Sequence, residues 1–308
     1  GTGRLMVEAA TARLGVGPVE SGPVIVFVVC HQTKYLDLVL AALSRQTRRP
    51  DRVVLSSDTP EPGIGALARA WAARVGAPIA WVRRAHHGVA RCSQVRNNAA
   101  RHVIFDLGIR AGRLIQLDGD MLATPTLVEM HERLGREAEL VFPYRVEVSR
   151  ERSAALDAGA IADGGEYPPT DDRAREKLRA RARRYRRHLF WRRFGLVPDH
   201  KPKLIGCNWS ASIGTWVRVN GFDEHYQGWG YLDDEFARRA VRAGARTRPA
   251  VEEIIAFHLW HTTRQPSGRL SDNPNHVRFM RRDLPVACEN GLANPIPQHP
   301  VSVDEYRP

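Results

Sequence analysis

Leu114-Ile115-Gln116-Leu117-Asp118-Gly119-Asp120 decides how this chain reads. A short, mostly apolar run ending in two carboxylates is the pattern of a buried strand that emerges at the carboxyl edge of an open α/β sheet. That edge is where such sheets form their ligand crevice. Hard divalent cations take oxygen ligands and bind phosphates together with one or two carboxylates, and a glycine between the acids lets backbone and phosphate approach closely. Asp118 and Asp120 are therefore candidate ligands for Mn²⁺ or Mg²⁺, while Gln116, Asp118 and Gly119 are candidate contacts on the phosphate side. Asp-Gly-Asp alone is equally well a capped turn; its place behind a strand favours the site.

Working outward, apolar runs suited to parallel strands lie at Val24–Val29, Arg52–Leu55, Ile79–Val82 and Leu114–Leu117. Between them Leu36–Leu43, Ile64–Val75 and Val95–Leu107 carry apolar residues at three- and four-residue spacing, as amphipathic helices do. This strand-helix-strand rhythm predicts an α/β fold with a mostly parallel central sheet flanked by helices. Residues 1–22 read as a flexible arm and 23–266 as one catalytic domain. The domain divides into a nucleotide-binding half at 23–145, a basic helical insertion at 149–203, and an acceptor and metal half at 204–266. In that last half, a helix is expected at Asp234–Ala243 and a strand at Ile254–Phe257. The Pro-rich residues 267–308 read as a tail that wraps the domain without building its core.

The 308 residues carry a formal charge of +12. Between Arg173 and Arg193 there are eleven Lys or Arg against one acid, so one segment holds nearly the whole surplus. A local device explains that better than a nucleic-acid-binding surface, and nucleic acid is not expected as a partner. Leu178, Tyr185, Leu189, Phe190, Trp191 and Phe194 lie among the arginines. The segment thus reads as a surface helix: a solvated cover, a binder of an acidic or phosphorylated acceptor, or a peripheral contact with anionic membrane, with an acceptor-side lid the favoured functional version. Four scattered cysteines, no signal-like first residues and no membrane-length apolar run lead us to expect a soluble cytoplasmic protein. A homo-oligomer is compatible with this reading.

Two further clusters carry chemistry. Gly228-Trp229-Gly230-Tyr231-Leu232-Asp233-Asp234-Glu235 opens a helical pattern. An aromatic between glycines can offer a flat platform, and acids suit the positive end of a helix. Three successive acids exceed what capping requires. Phe257-His258-Leu259-Trp260-His261-Thr262-Thr263-Arg264 places two imidazoles three residues apart behind a strand, and imidazole serves borderline cations. After the first strand come Cys30-His31-Gln32-Thr33, which lack the dinucleotide fingerprint. His31, Gln32, Thr33, Asp58 behind the second strand, and Arg96 in Arg91-Cys92-Ser93-Gln94-Val95-Arg96-Asn97-Asn98 are candidate nucleotide contacts.

Together these motifs resemble family 2 glycosyltransferases of GT-A fold, over roughly residues 24–145 and 204–265. The Gly-Trp-Gly-x-x-Asp-Asp segment is similar to that of chondroitin-polymerase-like enzymes and of animal β-1,4-galactosyltransferases. The resemblance implies a divalent cation held by Asp118 or Asp120 together with His261, with His258 the reserve candidate and otherwise structural. It also implies a nucleotide-sugar donor, UDP favoured, and a glycan, lipid-linked or small-molecule acceptor. Asp233 falls at the position of the catalytic base, which implies inversion, with Asp234 beside it and Trp229, Gly230 and Glu235 on the substrate. Leu232 stands where relatives have Glu, a departure on the acceptor side. A nucleic-acid-binding basic protein and a catalytically silent sugar-binding scaffold are the alternatives.

Overall fold

The computed structural model describes residues 21–59, 61–262, 273–281 and 283–308. Most of the arm expected at 1–22 lies outside the described residues, as do Thr263 and Arg264. Strands β1 (Val24–Val29), β2 (Arg52–Ser57), β3 (Ile79–Arg83) and β4 (Arg113–Asp118) cover the four apolar runs. They pair in parallel in the order β3-β2-β1-β4. Every residue of β1 is buried, as expected where helices cover both faces of a parallel sheet and leave no polar side to alternate with.

The covering helices are α1 (Leu36–Ser44), α2 (Pro62–Val75) and α3 (Cys92–Arg101), and α3 continues as a π-helical turn over His102–Asp106. Pro62 opens α2, where its missing N–H has no intrahelical partner to lose, and Gly76 closes it at φ 68°. The order in which strands are added reverses around β1: β2 and β3 lie to one side of it and β4 to the other. The crevice at the carboxyl ends of β1 and β4 is therefore a topological switch point, the place for a ligand in such sheets.

Beyond β4, β5 (Met121–Ala123) follows the Gly119 turn, and α4 (Leu127–Gly135) leads into β6 (Leu140–Phe142) and β7 (Val146–Glu147). The inserted region holds α5 (Arg150–Ala154), α6 (Ala158–Ala162) and the long basic helix α7 (Asp172–Arg192). Leu178, Ala182 and Tyr185 form its buried seam, and the Tyr185 hydroxyl donates to the Lys203 carbonyl at 2.9 Å. Then come β8 (Asn208–Ser212), α8 (Ile213–Arg218), α9 (Leu232–Arg242), β9 (Thr247–Pro249) and β10 (Ala256–His258). β8 joins β4 antiparallel and carries β6 and β9 beyond it, while β10 lies between β5 and β7 in a second, three-stranded sheet. Trp209, Trp216, Phe222 and Phe236 pack at 4.8–6.0 Å between ring centroids and fasten α9 under β8.

The tail does more than wrap. After α10 (Pro274–Phe279), β11 (Ser302–Tyr306) pairs antiparallel with β3, and Phe279, Cys288 and Leu292 are buried. β3 would otherwise expose an unpaired sheet edge, which β11 covers. Both faces of β11 are largely solvated, so its sequence lacks a strand's apolar alternation. Among the described residues no helix is long and apolar enough to cross a membrane.

His131 on α4 is fully buried, with its Nδ1 2.9 Å from the Ser210 hydroxyl and its Nε2 3.0 Å from Asn208 Oδ1. Arg113 donates to the same hydroxyl, whose own proton then goes to Nδ1, so the ring is neutral. Burial pushes its pKa down to about 3. Above its ordinary pKa of about 6.5 the ring is neutral folded or unfolded, and below it only the unfolded chain takes the proton. The ring's contribution is thus whole above that pH and is lost as pH falls. In urea unfolding, wild type should lose about 1.4 kcal/mol per pH unit more than His131→Gln between about pH 6 and 4; parallel stability profiles would refute a buried neutral ring.

Candidate functional site

Asp120, in the turn between β4 and β5, faces two imidazoles from the end of β10. Its Oδ2 lies 3.1 Å from His261 Nε2 and 3.6 Å from His258 Nε2, and the two Nε2 atoms are 3.3 Å apart. Backbone pairing sets this up, because His258 stands opposite Met121 across the β5–β10 ladder and beside Glu147 on β7. His258 Nδ1 donates to Glu147 Oε2 at 2.7 Å, and His261 Nδ1 faces the Thr262 carbonyl at 3.3 Å. These acceptors hold the ring protons on Nδ1 and leave both Nε2 lone pairs facing each other and a carboxylate. Such a group repels itself unless a positive charge lies at its centre. The spacing also suits two nitrogens each about 2.1 Å from one ion, and the carboxylate behind His258 is the usual support of a metal-bound imidazole. His258, expected to be structural, thus stands with Asp120 and His261 as a candidate ligand.

Asp118 is not part of this trio. It faces Arg96 on α3, whose Nη2 lies 3.6 Å from Asp118 Oδ1 and 3.7 Å from Asp233 Oδ1 at the start of α9. Burial, with Asp120 and Asp233 nearby, pushes the Asp118 pKa up to about 7 against the opposing Arg96. Burial likewise raises Asp233, again opposed by Arg96. Asp234 is raised to about 6 by burial, with Lys203 Nζ at 3.5 Å working the other way. Orphaned buried polar atoms collect here: Arg96 Nε and Nη1, Gln116 Oε1, and one Oδ1 each on Asp120, Asp233 and Asp234. Buried polar groups are normally paired, by protein, water or a ligand, so such a concentration makes this the candidate place for a ligand.

Two glycines make room for the carboxylates. A Cβ on Gly119 would meet Cys30 Cβ at 3.0 Å and the Val29 carbonyl at 3.1 Å, where the ends of β1 and β4 are cinched by a 2.8 Å backbone hydrogen bond. A Cβ on Gly206 would lie 2.2 Å from Asp233 Oδ2, so Gly206 is the wall against which that carboxylate rests. Gln116 donates to the Gly206 carbonyl and holds the wall in place.

The remaining expected residues divide. His31 and Gln32 are exposed beyond β1, while the Thr33 hydroxyl is engaged with Glu61 at 2.9 Å. Asp58 accepts from Arg84 Nε and from the Arg91 backbone N–H, both at 2.9 Å, so both of its oxygens already serve the fold. Trp229 projects with 61% of its surface exposed, between Gly228 at φ 65° and Gly230 at φ 98°. Glu235 corrects the expectation of a substrate contact. It is buried, and both its oxygens are held by Arg239, which also bonds the carbonyls of Val219 and Gly221. One helical turn brings Glu235 and Arg239 together on the inner face of α9, away from Asp233.

Residues 188–262 match the family model described as the N-terminal domain of galactosyltransferase. The match runs from the last turns of α7 through β8 and α9 to the histidine pair. No curated protein matches the chain in sequence. Among solved structures the chain is similar to the Staphylococcus aureus TarS fragment 1–349 in complex with UDP-GlcNAc, at TM-score 0.50 and 11% identity over 82% of this chain and 61% of that one. A second structure of that fragment gives TM-score 0.50 and 11% identity over 77% and 60%. A further TarS structure gives 0.49 and 12% over 78% of this chain and 37% of that one. The chain thus spans less than two thirds of each of these neighbours. At such identities the likeness is one of fold, and the fold is of the GT-A type.

If Glu147 orients His258 for a cation, Glu147→Gln should weaken Mn²⁺ binding by about 10–100-fold. Calorimetric titration of Mn²⁺ into the two proteins reads this directly, and equal affinities would remove Glu147 from the site.

Proposed function

We propose that this chain is an inverting, metal-dependent glycosyltransferase that moves a sugar from a nucleotide diphosphate to the hydroxyl of a glycan, lipid-linked or small-molecule acceptor. One arrangement supports the reading: Asp120, His258 and His261 are grouped so that they could hold a cation just beyond the end of β4, and from that strand end Asp118 faces Arg96, which also faces the buried, pKa-raised Asp233. The family match over 188–262, which includes Asp233 and both histidines, supports it. UDP is the favoured nucleotide, and the similarly folded TarS fragment in complex with UDP-GlcNAc lends support.

In this reading Asp120, His258 and His261 hold Mn²⁺ or Mg²⁺, and Glu147 fixes the His258 ring. When bound, the ion supplies positive charge to the diphosphate leaving group. Arg96 directs its unpaired Nε and Nη1 hydrogens at phosphate oxygens, as a charge-assisted donor suits them. Asp233 takes the proton of the acceptor hydroxyl while that oxygen bonds to the anomeric carbon. The bond from that carbon to the diphosphate breaks, the nucleotide diphosphate departs, and one displacement inverts the centre. A carboxylate with a raised pKa is the better base near neutrality. Asp234, steadied by Lys203, offers its unpaired oxygen to the acceptor, and the projecting Trp229 offers its ring to the carbon face of a sugar.

Asp233→Asn should lower turnover of a UDP-sugar by about 10²–10⁴-fold while leaving UDP affinity within a few-fold. Near-normal turnover in that variant would overturn the base assignment. Chelator should abolish turnover and added Mn²⁺ or Mg²⁺ restore it; full turnover in chelator removes the metal from the mechanism. Donor binding without hydrolysis or transfer would instead identify a silent scaffold.

A further inference from the structure

We propose that the second half of α7, with the turn that follows it, is a docking face for the headgroup layer of an anionic lipid bilayer. Leu178, Ala182 and Tyr185 turn inward, and the side opposite them is exposed, with no partner among the described residues. Arg183, Arg187, Phe190 and Phe194 follow one another at spacings of four, three and four, which stacks them on that outer side, with Arg184 and Trp191 alongside. Phe190 is 50% exposed, Trp191 41%, Phe194 62% and the neighbouring Leu196 67%. The three aromatic rings pack on one another at 5.1–6.3 Å, forming a single apolar knob in solvent. Among the described residues none of Arg183, Arg184, Arg187 and Arg193 forms an ion pair, although Arg186 reaches Glu252 at 3.7 Å.

Two features together select the occupant. The unpaired guanidiniums call for an anionic surface. The contiguous apolar knob calls for a medium that accepts rings and an aliphatic chain, which phosphates alone do not. Only the boundary between headgroups and acyl chains supplies both, and stable attachment there takes both signals at once. Single-stranded nucleic acid also uses arginine and aromatics, but it stacks bases on open ring faces. Here the rings meet each other at interplanar angles of 59–80°, so they present edges and a rounded apolar surface. This inference does not rest on the catalytic reading, because attachment is measured with neither donor nor acceptor present.

The test is sedimentation of the full chain with phosphatidylcholine vesicles, with and without phosphatidylserine, at low and high salt. Binding is expected only with phosphatidylserine and should weaken with salt. Arg183→Glu with Arg187→Glu should reduce it by at least about 25-fold, since each basic side chain near such a surface is worth about fivefold. Phe190→Ser, Trp191→Ser and Phe194→Ser combined should reduce it by about tenfold or more. All five positions are exposed, and an unchanged thermal midpoint would show that the variants fold. In the wild type, brominated phosphatidylserine should quench a fluorescence component that Trp191→Phe lacks. No vesicle binding, equal binding to neutral vesicles, unaltered binding by both variants, or quenching that persists in Trp191→Phe would overturn the proposal. So would tighter, salt-sensitive retention on single-stranded RNA than on vesicles.

Discussion

Arg96 is the residue on which the cleft depends. Its guanidinium is buried, lies over the Phe222 ring at 5.3 Å, and stands between Asp118 on β4 and Asp233 on α9. Without it, two carboxylates from opposite walls of the cleft would face each other, and removing one partner from a buried charge cluster typically costs about 3–5 kcal/mol. The pairing is nevertheless incomplete. At 3.6 and 3.7 Å the contacts are longer than hydrogen bonds, and two nitrogens of the guanidinium have no hydrogen-bond partner among the described residues. Arg96 therefore balances the charge of the acids while keeping donor capacity unspent. Donors fixed in advance and aimed into a recess stabilise incoming negative charge without having to reorganise.

A position this exacting needs a rigid mount, and the tail supplies it. Gln94, Asn97 and Arg101 share one face of α3, and all three donate to the buried Glu224 carboxylate. The Ile296 backbone N–H donates to the same group at 2.9 Å, and Arg101 also reaches the carbonyls of Gly291 and Leu292. Burying one carboxylate is tolerable because each of its oxygens is met by several donors. The network joins α3, the loop before α9 and the C-terminal segment into one unit. The residues that order the Arg96 side of the cleft thus lie some two hundred positions apart in the chain.

That distance sets what the sequence could reveal. β1 to β4 were legible because each is a run of apolar residues covered on both faces, so hydrophobicity alone marks them. As candidates, Asp118, Asp120, Asp233 and His261 could be picked out because each stands next to such an element or in a compact motif, although Asp118, expected beside the cation, faces Arg96 instead. Glu147 was not legible, since its strand is two residues long and a lone glutamate carries no signal until β10 is laid beside it. Gly206 looks like any loop glycine, and only the 2.2 Å clash shows its purpose. Glu235 failed in the opposite way. Counting three successive acids overstated the site, because helical geometry turns the third toward Arg239 and into the core. For Asp58, its place behind β2 was readable, but not that Arg84 and the Arg91 amide would each bond one of its oxygens and fix its orientation.

The loop before α9 shows how local strain and exposure combine. Gly228 and Gly230 take left-handed angles freely, but Tyr231 adopts φ 68°, where a side chain is unfavourable. What holds it there is visible: its hydroxyl meets His276 Nδ1 at 2.9 Å and its ring packs 5.1 Å from Phe279. From the other side Asn275 donates to the carbonyls of Gln227, Trp229 and Gly230. The backbone is thus fixed on both flanks of Trp229, while most of the indole stays in solvent. A fold that selected this loop for packing alone would turn the largest apolar side chain inward and spare the strained tyrosine. Here the fixed backbone instead carries the ring outward just before the acids of α9. Asp233 lies in the first turn of α9, two residues after that strained position, so the same constraints that hold Trp229 out also set the direction from which the carboxylate enters the cleft.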